Sequence, residues 1–130
     1  EYTGCEVIPM DVSNIESVRD AFLSVKPNII IHGAATKFVD LAEKQPMECV
    51  DINVIGSQNV ARVAIENKVS SALYISTDKA SPTVRNTYSL SKALMKESNV
   101  QYMIILPQNI YVSAMVILCI LHIYSFEQFV

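Results

Sequence analysis

The stretch Asn28-Ile-Ile-Ile-His32 decides the fold class. Its three consecutive β-branched residues, with no polar alternation, are typical of a strand buried on both faces of a parallel sheet. The run Ala72-Leu-Tyr-Ile75 has the same character and predicts a second buried strand. Two further apolar runs, residues 6–8 and 101–106, predict strands on either side of these two.

Helical patterns separate the strands. Residues 13–16 carry the S-x-x-E capping-box pattern, and apolar residues at three- and four-residue steps predict a helix over about 14–25. Pro46 suits the first turn of a long helix over about 46–67, and residues 88–98 predict another. Strands that alternate with helices predict an α/β fold with a parallel sheet.

Composition narrows the class of protein. The 130 residues fit one domain, and a net charge of −3 lacks the basic excess that non-specific nucleic-acid binding needs. The cysteines Cys5, Cys49 and Cys119 are odd in number and form no C-x-x-C pair, which predicts free thiols in a reducing compartment such as the cytoplasm. His32 and His122 have no neighbours at metal-ligand spacing, so we expect no metal site.

The last part of the chain is unusually apolar. No charged residue lies between Glu97 and Glu127, and Ala114–Leu121 is an unbroken apolar block. A membrane-spanning helix needs about 20 predominantly apolar residues. We therefore expect a buried or aberrant tail and not a membrane anchor.

Small or polar residues follow each predicted strand. They are Asp11-Val12, Gly33-Ala-Ala-Thr-Lys37, Ser76-Thr-Asp-Lys79 and Gln108-Asn109. In open parallel sheets, ligands bind beyond the carboxyl ends of the strands. The sequence therefore predicts a ligand cleft at this edge of the sheet.

Tyr88 and Lys92 are four residues apart, so a helix places both on one face. A lysine ammonium held near a phenol favours the phenolate form, which can act as a base. The Y-x-x-x-K spacing is weak by itself. Its value lies in its position, because it opens a helix that follows the strand ending at Ser76 and Thr77.

The segment Ile75-Ser-Thr-Asp-Lys-Ala80, followed by Tyr88-x-x-x-Lys92, resembles the extended short-chain dehydrogenase/reductase superfamily. Within it, the segment is similar to the inverting UDP-N-acetylglucosamine 4,6-dehydratases and their CapD-like relatives. His32-Gly-Ala-Ala35 and Asp51-Ile-Asn53 with Gly56 match further landmarks, and the resemblance runs from about Val7 to Asn109.

The resemblance implies a Rossmann-like doubly wound parallel sheet that is incomplete. Residues 1–112 would be a partial NAD(P)-binding domain, and residues 113–130 an atypical apolar tail. The first βαβ unit, with its glycine-rich loop, would precede residue 1. The carboxyl-terminal sugar-binding region would be missing, since the pattern stops past Val112.

The resemblance also implies roles for particular residues. Asp11 and Val12 would contact the adenine of the cofactor, and Ala34 and Ala35 would line its pyrophosphate and ribose. The remaining residues implied for cofactor binding are Lys37, Asn53 (through helix geometry behind the active site), Tyr88, Lys92 and Asn109. The residues implied for catalysis are Thr77, Asp78, Lys79, Tyr88 and Lys92.

The implied activity is that of a nucleotide-sugar 4,6-dehydratase that uses NAD or NADP and a UDP-sugar, here in a truncated form. Asp78 and Lys79 would supply the acid and base for elimination, in either assignment. A nucleotide-sugar 4-epimerase or reductase would share Tyr88 and Lys92, and a non-catalytic fragment is a third alternative. We expect no nucleic-acid partner and no membrane association, and a homo-oligomer in the full-length family.

Overall fold

A computed structural model describes residues 6–77, 80, 86–105 and 109–113, with residues 100–105 and 109–113 described by their backbone alone. The elements are, in chain order, α1 (Ile15–Val25), β1 (Ile29–His32), α2 (Val39–Lys44), α3 (Pro46–Val50), a π-helical segment (Asp51–Gly56), α4 (Ser57–Glu66), β2 (Ser71–Ile75), α5 (Thr87–Ile105) and β3 (Asn109–Ser113).

The three strands form one parallel sheet in the order β1-β2-β3. Ile29 pairs with Ser71 and His32 with Tyr74, so β1 and β2 end at the same edge. Helices lie between consecutive strands in the chain, as parallel connections require. The predicted α/β class with a parallel sheet is confirmed.

The core joins the sheet to three helices. Tyr74 of β2 is fully buried, together with Val18 of α1, Val63 of α4 and Met95 of α5. The complete buried cluster consists of Val12, Val18, Phe22, Val60, Ala61, Val63, Ala64, Val69, Ala72, Tyr74 and Met95. Helix α5 therefore shares one buried core with β2, whose last residue lies at the carboxyl edge described below.

The structure places two of the predicted strands differently. Residues 6–8 form no strand, and Val7 is 91% exposed, because so short a run does not specify a strand unless a neighbouring strand pairs with it. The run Gln101–Ile105 continues helix α5, and β3 begins only at Asn109. A short apolar run is compatible with either a helix or a strand, and here it extends a helix that is already formed.

Strand β1 is also less buried than its composition predicts. Ile29 and Ile31 are more than half exposed, whereas His32 is buried. Ile29 and Ile31 alternate along the strand and share one face, so that face of β1 is not covered by the described residues.

Helix α1 begins one residue later than the capping-box pattern predicts. The Asn14 side chain caps it and accepts hydrogen bonds from the backbone N–H groups of Glu16 and Ser17. The backbone N–H and the hydroxyl of Ser13 instead donate to the Asp11 carboxylate, at 2.9 and 2.7 Å. Asn and Ser are equally good caps, and Ser13 is already bonded to the neighbouring Asp11 carboxylate, so Asn14 takes the cap position.

The long helix predicted over 46–67 forms, but with a π-helical turn in its middle, from Asp51 to Gly56. Such turns widen the helix locally and are frequent at functional sites.

Within the described residues, no helix combines the length and the hydropathy that a membrane crossing needs. The apolar block Ala114–Leu121 lies outside them.

Candidate functional site

The carboxyl ends of β1 and β2 meet at one edge of the sheet. Gly33–Lys37 leave β1 there, and Ser76 and Thr77 leave β2. Ala34 and Lys37 are exposed, and Ala35 is half-buried. Ala34, Ala35 and Lys37 thus follow β1, and Thr77 follows the neighbouring strand β2. Both segments lie at the same edge of the sheet, as the sequence predicts.

Lys92 reaches this edge from helix α5. Its Nζ donates to the backbone oxygen of Ile75, the last residue of β2, at 3.2 Å. The side chain is buried, and burial lowers the pKa of Lys92 because the ammonium loses water, an effect that the Cys49 thiol partly opposes. Tyr88 lies one turn earlier on the same helix and is half-buried. The edge therefore carries a poorly solvated cation one helical turn from a phenol.

His32 is the last residue of β1, and its side chain is a buried, neutral imidazole. Its Nε2 lies 2.9 Å from the Ser57 hydroxyl, and its ring packs against that of Tyr74 with centroids 5.2 Å apart. Burial lowers the pKa of His32 to about 4, and the positive charge of Lys92 acts in the same direction. Among the described residues, no group of three His, Cys, Asp or Glu side chains could hold a metal ion.

Asn53 lies in the π-helical segment and is completely buried. Its Oδ1 accepts the backbone N–H of Thr36 at 2.8 Å, and its Nδ2 donates to the Ser91 hydroxyl at 2.9 Å. The asparagine thus bonds to the loop after β1 and to helix α5 together. In the sequence, Asn53 is indicated by the family landmark Asp51-Ile-Asn53, whereas nothing in the sequence indicates its partner Ser91.

Asp11 and Val12 lie in the loop before α1. Val12 is buried against Gly56, where an added Cβ would lie 2.8 Å from Val12 Cγ2. The residue that leaves no room for a side chain at position 56 is therefore Val12. The Asp11 carboxylate is exposed, and its hydrogen bonds from Ser13 lower its pKa.

Asn59 of α4, which no sequence motif indicates, bonds to this loop. Its Nδ2 donates to the backbone oxygens of Val12 and Ser13, at 3.0 and 3.1 Å. The Asn59 side chain is buried. Its one signal in the sequence is that asparagine, a poor helix former, stands within a predicted helix.

One predicted placement is wrong, and another lies outside the described residues. Asn109 is the first residue of β3 and pairs with Ser71, so it lies at the amino end of the strands. The prediction that it lies at the carboxyl edge is wrong, because the strand starts after the predicted one ends. Asp78 and Lys79 lie outside the described residues, whereas Thr77 lies two residues beyond β2.

A cavity of about 290 Å³ lies at the opposite end of β1. It is lined by residues that precede β1 or follow α4, namely Leu23, Lys26, Pro27, Asn28 and Asn67. Because it adjoins the amino ends of the strands, it does not belong to the edge that carries Tyr88 and Lys92.

Comparison with known proteins defines the class. The pattern of the polysaccharide biosynthesis protein family matches residues 3–115. The chain therefore belongs to this family, within the extended short-chain dehydrogenase/reductase superfamily, and the predicted resemblance is confirmed.

Particular relatives are similar over part of their length. The chain is 44% identical over 87 residues to UDP-glucose 4-epimerase from Rickettsia rickettsii, a match that covers 67% of this chain and 25% of that protein. The chain thus spans about a quarter of this relative.

Two solved structures resemble the fold. UDP-glucose 4-epimerase from Thermus thermophilus, a complex with NAD, superposes with a TM-score of 0.78 at 19% identity, over 85% of this chain and 40% of that one. The dTDP-4-dehydrorhamnose reductase from Bacillus anthracis, in complex with NADP, gives 0.67 at 30% identity, over 79% and 40%. The Rossmann-like doubly wound fold predicted for the chain is confirmed, and the chain covers part of it.

Proposed function

We propose that this chain is the central part of the NAD(P)-binding domain of an enzyme that modifies nucleotide sugars. The observation that carries the proposal is the contact of Lys92 with the backbone oxygen of Ile75, one helical turn from Tyr88. It brings an ammonium to the edge where ligands of parallel sheets bind, and Tyr88 lies one turn earlier on the same helix. The names of the epimerase and reductase relatives support the substrate class.

The residues at this edge fit a nicotinamide dinucleotide. Lys92 uses one of its three N–H donors on Ile75, which leaves two for the hydroxyl groups of a ribose. Ala34 and Ala35 present no side chain beyond Cβ, so a pyrophosphate could approach the backbone closely. Asp11 and Val12 would hold the adenine. When bound, the nicotinamide supplies the acceptor and later the donor of a hydride.

The chain's own residues would handle the proton at carbon 4 of the sugar. The Tyr88 oxygen, as phenolate, accepts the proton of the carbon-4 hydroxyl as that carbon is oxidised to a ketone. Lys92 would stabilise the phenolate through its charge, which water screens less because the side chain is buried. Thr77 would donate a hydrogen bond to the carbon-4 oxygen.

Within this class we propose a 4,6-dehydratase. The sequence Ser76-Thr-Asp-Lys-Ala80 supports it, because elimination across carbons 5 and 6 needs a further acid and base. Of Asp78 and Lys79, one would remove the carbon-5 proton and the other would protonate the departing carbon-6 hydroxyl. The second candidate is a 4-epimerase, which the identity to the Rickettsia rickettsii protein favours.

Product analysis distinguishes the two. The protein, expressed from its complete reading frame, is incubated with NAD or NADP and with UDP-N-acetylglucosamine or UDP-glucose. A dehydratase product has lost one water by mass spectrometry, whereas an epimer keeps the mass of its substrate and differs by NMR. The variant Tyr88→Phe should abolish either product. Absence of calorimetric binding to millimolar cofactor would refute the proposal and favour a non-catalytic fragment.

A further inference from the structure

Ser91 belongs to a group of four polar residues, three of them buried and Thr36 half-buried, that we call the Asn53 cluster: Thr36, Cys49, Asn53 and Ser91. Cys49 Sγ lies 3.3 Å from Thr36 Oγ1, 3.3 Å from Asn53 Nδ2 and 3.4 Å from Ser91 Oγ. Ser91 Oγ in turn lies 2.7 Å from the backbone oxygen of Tyr88. Cys49, Asn53 and Ser91 are at most 3% exposed, so water does not compete for these bonds.

Counting protons fixes the direction of every bond. A backbone oxygen only accepts, so Ser91 must spend its single proton on Tyr88. Its two lone pairs then receive one N–H of Asn53 and the thiol proton of Cys49. The second N–H of Asn53 and the Thr36 hydroxyl donate to Cys49 Sγ. Each donor of these side chains has an acceptor, and all the bonds converge on Ser91 and Tyr88.

The cluster connects segments that are distant in sequence. Asn53 bonds to the backbone of Thr36, in the loop after β1, and to Ser91, which is 38 residues further along the chain. Through Ser91 it reaches the backbone of Tyr88 itself. The loop with Ala34 and Ala35 and the first turn of α5 are thus held by one buried set of bonds.

We propose that Ser91 is a positioning residue, which sets the location of Tyr88 relative to the loop after β1 without touching substrate. The proposal deepens the proposed function and rests on it for its kinetic consequence. Among the described residues, Ser91 is the only residue that bonds the rest of the Asn53 cluster to α5. Its hydroxyl accepts from Asn53 and Cys49 and donates to the backbone oxygen of Tyr88. Without its hydroxyl, the turn that carries Tyr88 would lose this attachment.

Ser89 provides a matched control. It lies in the same first turn of α5 and is completely buried, yet its hydroxyl has no hydrogen-bond partner among the described residues. Ser89→Ala and Ser91→Ala therefore remove the same atom from the same helix. The two variants differ in whether that atom joins α5 to the Asn53 cluster.

Two measurements on the full protein test the proposal. We expect Ser91→Ala to lower kcat for nicotinamide-dependent turnover of the UDP-sugar by about 10- to 100-fold, with KM unchanged, since small misplacements of reacting groups have effects of this size. Ser89→Ala should keep the wild-type kcat, and Ser91→Thr, which keeps the hydroxyl, should recover most of the loss. A loss that appears in KM instead, or equal effects of both alanine variants, would overturn the proposal.

The second measurement does not need turnover. In fluorotyrosine-labelled protein, the fluorine resonance that disappears in Tyr88→Phe belongs to Tyr88. Ser91→Ala should shift this resonance and Ser89→Ala should not. If Ser91→Ala shifts the Tyr88 resonance but the wild-type protein shows no turnover, the positioning role stands and the proposed function is refuted. If Ser91→Ala leaves the resonance unchanged, the positioning role is refuted. If Ser91→Ala does not fold, Ser91→Cys replaces it, since the thiol fits the space and donates more weakly.

Discussion

The contact between Gly56 and Val12 gives the sharpest prediction on stability. An alanine Cβ at position 56 would lie 2.8 Å from Val12 Cγ2 and 3.2 Å from Val12 Cβ. Real Cβ atoms do not approach other atoms as closely as the first of these distances. Val12 cannot easily retreat, since it is buried and Asn59 holds its backbone oxygen.

Two opposing terms set the size of the effect of Gly56→Ala. Overpacking a buried site costs about 1–3 kcal/mol of the free energy of unfolding. Replacing glycine with alanine inside a helix contributes about 1 kcal/mol in the other direction. We therefore expect a net change between none and a loss of about 2 kcal/mol.

The sign should reverse when Val12 is shortened. Val12→Ala by itself should cost about 2 kcal/mol, because two buried methyl groups are lost. It also removes Cγ2, the atom in closest contact, so Gly56→Ala in that background should stabilise the protein by up to about 1 kcal/mol. The coupling energy between the two substitutions should be about 1–3 kcal/mol.

Urea unfolding followed by circular dichroism measures all four proteins of this cycle. The free energies of unfolding of the wild type, the two single variants and the double variant give the coupling directly. Additivity within about 0.5 kcal/mol would refute the reasoning, because distant, independent sites behave in that way.

Two further predictions concern buried titratable groups. Unfolded His32 binds a proton near pH 6.5 and folded His32 only near its pKa of about 4, so stability should fall by about 3 kcal/mol as the pH drops between these values. Urea unfolding across this range should show a shallower pH dependence in His32→Asn, and parallel curves would contradict the assignment. Because burial lowers the pKa of Lys92, its charge opposes folding, so Lys92→Met should keep or raise the midpoint of thermal unfolding while turnover is lost. A lower midpoint would show that the hydrogen bond to Ile75 outweighs the burial of the charge.

Local sequence determined the fold class and the helical face that Tyr88 and Lys92 share. The run Ile29–Ile31 and the strand residues 72–75 lie between helical patterns, and periodicity depends only on near neighbours in the chain. For the same reason, the spacing of Tyr88 and Lys92 predicted one helical face. Resemblance to a known family supplied the proposed roles of these residues, which their spacing alone could not.

Tertiary structure decided what depends on distant contacts. Residues 101–105 fit a helix or a strand equally well, and their continuation of α5 moved β3 along the chain and Asn109 to the amino end of the sheet. Asn59 and Ser91 resemble solvent-facing helix residues in sequence, but they bond to groups 47 and 38 residues away. Such partners are set by how helices pack on the sheet, and no local pattern encodes that packing.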